Sequence, residues 1–188
     1  MSNSDHPHPL SREPWATRST RPVYENQWIK VREDIALLPD GRTTVYGVVD
    51  AGECVGVVPL VDANTVLLVG QYRYVAHDFY WEIPTAAQRA GESLEQAAQR
   101  ELAEEAGREA RSLVKLCDVH TSKSILRETA HLYLARDRRP ASRPADATES
   151  IERHEFPFAE TLRMVERVAI KDAMPVVAVL HVARLLGA

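Results

Sequence analysis

The 188-residue chain has only two cysteines, Cys54 and Cys117. Two thiols are too few for a disulfide framework, and neither has a metal-ligating partner at short spacing, so they read as buried thiols of a reducing compartment. No apolar run approaches the roughly 20 residues of a membrane span. The start, MSNSDHPHPL, lacks the basic residues and apolar stretch of a secretory signal, so the expected location is cytoplasmic. An excess of basic charge is also lacking, with 23 Lys and Arg against 27 Asp and Glu. The formal net charge of -4 carries no electrostatic footprint for nucleic acid, and a polyanion is admitted only where cations or local arginines neutralise it. No internal repeat is present, and the seven histidines show no metal-ligand spacing. What remains is an ordinary globular composition, 45% hydrophobic and 27% charged, long enough to bury one sizeable core.

Residues 1–14 are polar with interspersed Pro and His, and read as a disordered or loose arm. From Trp28, the residues Ile29, Val31, Ile35 and Leu37 alternate as a half-buried strand requires. Pro39-Asp40-Gly41 marks a turn and Thr43 to Val49 the returning strand, so residues 15–50 form an N-terminal hairpin region. Val55 to Leu60 and Val66 to Val69 are β-branched runs around an Asp62-Ala63-Asn64 turn. Further strands are expected near Leu113 to Val119, Ala130 to Ala135 and Ile151 to Phe156, with a loop from Arg136 to about Thr148. Helices are expected near Ala159 to Val168 and from Pro175 to Leu186. The order predicts an α+β or α/β/α layered domain over residues 51–188.

The chemistry is concentrated in one helix. Ser93 and Gln96 form a capping box, and Gly107 stands where a left-handed cap would end the helix. Leu94, Ala98 and Leu102 supply its buried stripe. Glu101 lies three and four residues from Glu104 and Glu105, so it shares a face with both. Such like charges repel. Arg100 pairs with Glu104 at i, i+4, and a divalent cation would relieve the rest, since carboxylate oxygens suit Mg²⁺ or Mn²⁺. The alternative for the triplet alone is a solvated acidic face.

Glu92, Arg100, Glu101, Leu102, Glu104, Glu105 and Gly107 together resemble the Nudix box, matching seven of its nine fixed positions and every charged one. Ala86 replaces the first Gly, whose freedom permits a turn that Ala resists, and Arg108 replaces an aliphatic residue. Gln71-Tyr72-Arg73-Tyr74, Trp81-Glu82-Ile83-Pro84, Val23-Tyr24-Glu25-Asn26 with Trp28, and Ser122, Glu128 and His131 to Ala135 extend the resemblance to the ADP-ribose pyrophosphatase branch. It implies a Nudix fold: an α/β/α sandwich with a mixed central sheet plus N-terminal antiparallel strands. It also implies a homodimer formed through the N-terminal sheet; the net charge and the short apolar runs point to no nucleic-acid or membrane partner.

Carried over by residue, the resemblance assigns Glu101 and Glu105 to metal, with Glu104 as a further or water-mediated ligand and the Thr85 carbonyl as another. Arg100 orients the glutamates. The general base expected on a late loop falls at Glu149, with Glu152 in reserve, though either reads equally as a surface residue. Arg73 and Glu82 are candidates for phosphate and for ribose or metal-bound water; a surface ion pair is the alternative for Arg73. Trp28 either stacks on a base or packs in the core or at a dimer interface. Glu128 completes the substrate-binding set. Ser122-Lys123-Ser124 replaces the family's Ser-Pro-Gly-like stretch and loosens the expectation of strict ADP-ribose specificity. The implied reaction is metal-dependent hydrolysis of a small nucleoside diphosphate linked to a sugar, ADP-ribose first, giving AMP and ribose 5-phosphate. The alternatives are GDP-mannose or another nucleotide sugar, a nucleoside triphosphate or a dinucleotide, and, from another class, a non-catalytic nucleotide-sensing domain.

Overall fold

The computed structural model describes residues 14–141 and 150–187. Its elements, in chain order, are β1 (Ala16–Glu25), β2 (Lys30–Leu37), β3 (Thr43–Pro59), β4 (Thr65–Arg73), β5 (Asp78–Glu82) and β6 (Thr85–Ala87), followed by α1 (Leu94–Glu105). Then come β7 (Arg108–Val119), β8 (Leu126–Pro140), β9 (Glu152–Pro157), α2 (Phe158–Glu166) and α3 (Ala173–Leu186). The chain divides into two units.

The first unit, of which residues 14–51 and 122–127 are described, is an antiparallel meander. The register of β2 on β3 runs from Lys30 opposite Asp50 to Leu37 opposite Thr43. The predicted turn closes it, with the Leu38 amide donating to the Arg42 carbonyl at 2.9 Å and the Arg42 amide to Asp40 Oδ1 at 3.1 Å. β1 has no counterpart in the sequence reading. Its residues ATRSTRPVYE carry no apolar alternation, and all ten are exposed. It exists because its backbone pairs with β2, and Pro22 sits beside a register irregularity, where a missing N–H is tolerated.

The second unit holds the core. Cys54 and Val58 of β3, Val66 and Leu68 of β4, and Ala130, Leu132 and Leu134 of β8 pack with Met174, Ala178, Val179 and Val182 of α3. Their chain neighbours Val55, Val57, Leu67, Val69, Tyr133 and Ala135 pack with Ala97, Ala98 and Leu102 of α1. Alternate residues of each strand therefore point to opposite helices, which is why these stretches are continuously apolar. Each fully buried Val or Leu contributes about 1.5–3 kcal/mol from leaving water. The domain is α+β, with helices on both faces of the strands, as expected.

Several boundaries differ from the sequence reading. Thr43 to Val49 and Val55 to Pro59 belong to one 17-residue strand, which passes the positive-φ residue Gly52 (φ 78°), a conformation that suits glycine; Leu60 follows it as an isolated bridge to Val66. The expected loop after Arg136 is strand as far as Pro140, because β8 pairs with β7 from Val119–Ala130 out to Arg108–Pro140. Polar residues at exposed strand ends carry no periodic signal, so pairing alone reveals them. β5 and the three-residue β6 were missed because runs of five and three residues are too short to show a period. Among the described residues, no helix is long and apolar enough to cross a membrane.

Candidate active site

The site is built on α1. The Ser93 side chain accepts from the Gln96 amide at 3.2 Å and Gln96 Oε1 accepts from the Ser93 amide at 2.8 Å, completing the capping box. Gln99 locks the helix to β7 through both backbone groups of Ala110, at 3.0 and 2.6 Å. At the far end, Ala106 caps the helix and Gly107 takes φ 63°, the left-handed conformation that stops it. Arg153 of β9 donates to the Glu104 carbonyl at 3.1 Å and to the Glu105 carbonyl, placing a cation on the negative end of the helix. Nothing in sequence spacing announces Arg153, which arrives through the pairing of β9 with β4.

Arg100 organises the carboxylates. It grips Glu92 with two bonds, Nε to Oε1 at 2.9 Å and Nη2 to Oε2 at 3.1 Å, and it donates to the Ala87 carbonyl at 3.1 Å. Its Nη1 lies 3.3 Å from Glu101 Oε2 and 3.2 Å from Glu104 Oε2, the latter being the expected i, i+4 pair. Arg89 adds a second contact to Glu104 at 3.6 Å. The fork of donors also holds the Glu92 carboxyl below the usual range.

Glu101 and Glu105 are only 5% and 3% exposed. Burial, and then the charge of Glu105 and a hydrogen bond donated to it, push the Glu101 carboxyl up to about 9, against the opposing pull of Arg100. Two buried carboxyls bonded to one another share a proton. Among the described residues, no three His, Cys, Asp or Glu side chains stand ready-made around a metal position. The donor set nonetheless fits a hard divalent cation. It offers the buried carboxylate oxygens of Glu101 and Glu105 beside Glu104, and binding would replace the shared proton.

The Thr85 amide donates to Glu105 Oε2 at 3.3 Å, joining β6 to the helix. Ala86 does not force a turn. It is the strand partner of Val55, and among the described residues only His77 and Val168 are non-glycine residues with positive φ. The strain expected from replacing Gly at this position is absent because an extended backbone accepts any side chain. Arg108, the other departure from the box, begins β7 and lies 3.7 Å from Glu155.

Thr85 also lines a cavity of about 400 Å³ together with Arg73, Tyr80, Glu82, Lys171 and Asp172. Arg73 and Glu82 are paired within it, Nε to Oε1 at 2.9 Å and Nη2 to Oε2 at 2.5 Å, with Glu82 buried. The structure therefore brings together Arg73, Glu82, Thr85, Arg100, Glu101, Glu104 and Glu105. It adds Tyr80, Lys171 and Asp172, for which the sequence carried no signal. Glu128 is not among the cavity's lining residues. It accepts from Thr121 Oγ1 at 2.6 Å and from the Cys54 thiol, which burial and then the Glu128 charge push up to about 12. Trp28 does not begin a strand; it sits in the bend between β1 and β2, where its amide donates to Asn26 Oδ1 at 2.8 Å, and it is 72% exposed, so it is not core. Glu149 lies outside the described residues, and Glu152 is exposed at the start of β9.

The nucleoside diphosphate sugar hydrolase N-terminal domain matches residues 15–49. The ADP-ribose pyrophosphatase of Bacillus subtilis (strain 168) is 31% identical over 143 residues, 75% of this chain and 77% of that protein. The methanol dehydrogenase activator of Bacillus methanolicus is 28% identical over 165 residues, 87% of this chain and 89% of that protein. In fold, the chain is similar to the crystal structure of an ADP compounds hydrolase, with a TM-score of 0.84 at 24% identity over 93% of this chain and 95% of that one. The NUDIX domain matches residues 50–175, well over half of the sequence, and the chain belongs to the Nudix family.

Proposed function

We propose that this chain is a divalent-cation-dependent pyrophosphohydrolase acting on a nucleoside diphosphate linked to a sugar, with ADP-ribose the first substrate and AMP and ribose 5-phosphate the products. The observation that carries this reading is the buried pair Glu101–Glu105, held by Arg100 and tied through Thr85 to a cavity of about 400 Å³. Two carboxyls buried so closely that they must share a proton are costly for folding, which makes sense where a cation and a diphosphate meet. Glu101, Glu104, Glu105 and the Thr85 backbone would hold Mg²⁺ or Mn²⁺. When bound, that cation neutralises the diphosphate, polarises phosphorus and lowers the pKa of the attacking water.

The chain's own residues supply the rest. Arg100 fixes the carboxylates' directions, and Arg153 anchors the backbone that carries Glu104 and Glu105. Hydrolysis forms one P–O bond to water and breaks the bridging P–O bond. The water's proton passes to a carboxylate, for which Glu149 is the proposed base and Glu152 the reserve. Ala86 no longer favours a retired, non-catalytic domain, since its strand conformation needs no glycine. The names of the relatives support ADP-ribose over other nucleotide sugars.

A panel of nucleotide diphosphate compounds with Mg²⁺ or Mn²⁺ tests the proposal. Turnover of ADP-ribose is expected, with nearly all of the rate lost in Glu105→Gln at unchanged secondary structure. Absence of metal-dependent turnover across the panel refutes it. Association of two copies through the first unit belongs to the same reading and is supported by the exposed Trp15, Val23, Tyr24 and Trp28 there. Sedimentation velocity showing only monomer at micromolar concentration would remove that part.

A further inference from the structure

Within the cavity shared by Arg73, Tyr80, Glu82, Thr85, Lys171 and Asp172, the two cations are not equivalent. Arg73 is committed through its Nε and Nη2 to Glu82, which is buried. Part of its charge is thereby spent on Glu82, so a diphosphate entering the cavity calls for a further cation. Lys171 is different. Its partner Asp78, 3.1 Å away, is not among the cavity's lining residues, and both side chains of the pair are exposed. An exposed pair of this kind is worth little, and Asp78 is rehydrated when Lys171 leaves it.

The local backbone presents Lys171 firmly. The amides of Ala169 and Ile170 both donate to the Met164 carbonyl, at 2.8 and 3.0 Å, and the Ile170 side chain is fully buried in the core. On the other side Asp172 caps α3, accepting from the Met174 amide at 3.1 Å. Val168 holds φ 61°, a conformation that is costly for a β-branched residue, so the connector between α2 and α3 is strained into its path. Lys171 Nζ lies 5.0 Å from the centre of the Tyr80 ring, which lines the same cavity. A flexible stem on an anchored backbone, beside an aromatic wall, is suited to exchange one anion for another.

We propose that Lys171 binds the anionic phosphate oxygens of the nucleoside diphosphate. This rests on the pyrophosphohydrolase reading for the choice of ligand. Isothermal titration with α,β-methylene-ADP, whose P–C–P bridge resists hydrolysis, in the presence of Mg²⁺, tests it apart from turnover. Lys171→Met is expected to weaken binding by about tenfold, and Lys171→Arg to recover it to within about threefold of the wild type. Asp78→Asn, which removes only the resting partner, is expected to leave affinity within about threefold. Adenosine, which lacks phosphate, should distinguish none of these proteins, and that control reports on folding. The proposal is overturned if Lys171→Met stays within about fivefold of the wild type. It is equally overturned if Asp78→Asn reproduces the Lys171→Met loss, or if the wild type does not bind α,β-methylene-ADP. A wild type that binds this compound yet hydrolyses nothing in the substrate panel refutes the reaction and leaves the role of Lys171 standing.

Discussion

Glu101→Gln separates the stability cost of the carboxylate pair from its use. In the folded, metal-free protein the Glu101 carboxyl sits at about 9, against an ordinary 4.5, because it is buried against Glu105. Below pH 4.5 both folded and unfolded chains carry this proton, and the site costs nothing in proton release. As pH rises from 4.5 to 9 the unfolded chain releases the proton while the folded chain retains it, so stability falls. The slope is about 1.36 kcal/mol per pH unit, reaching a ceiling of about 4 kcal/mol between pH 5 and pH 8. Glutamine keeps the shape of the protonated acid and can still donate to Glu105, yet it does not titrate. In EDTA, the Tm of Glu101→Gln is therefore expected to pull ahead of the wild type as pH rises, by up to about 10 °C at pH 8 for a chain of this size. Excess Mg²⁺ should reverse the order, since the wild type gains the cation and the variant loses a ligand. Scanning fluorimetry from pH 5 to pH 9, with EDTA and with Mg²⁺, reads both effects. Parallel melting curves across pH in EDTA, or a variant less stable than the wild type at pH 8, would refute the reasoning.

Two further outcomes follow from particular contacts. Arg153→Met removes a cation from the last carbonyls of α1, and chemical denaturation should show a loss of about 1–2 kcal/mol; the Mg²⁺ concentration needed for half-maximal stabilisation should rise as well, and an unchanged Mg²⁺ requirement would show that Arg153 does not position the glutamates. Val168→Asn places a residue tolerant of the left-handed region at φ 61°, and a gain of about 1 kcal/mol is expected; a lower Tm would mean that the strain assigned to Val168 is not real.

The helix α1 was legible in the sequence because everything that defines it is local. The Ser93–Gln96 box, the Leu94, Ala98 and Leu102 stripe and the stop at Gly107 all act within a turn or two of the chain. The buried strands were legible too, since burial on both faces leaves an unbroken apolar run in β3 and β4. β1 was not, because a polar edge strand differs from a loop only in having a partner.

By itself, then, the sequence determined the carboxylate helix, its arginine and the apolar strands that carry it. Short-range spacing and capping suffice for these, whatever lies across the fold. Only the tertiary structure decided how those groups are balanced. It buried Glu101 and Glu105 together and brought Arg153 from β9 to the end of α1. It also committed Arg73 to Glu82, set Lys171 in the same cavity, and showed that Ala86 rests in a strand where no glycine is needed. Burial, ion pairing and backbone conformation depend on residues far apart in the chain, and no local pattern encodes their meeting.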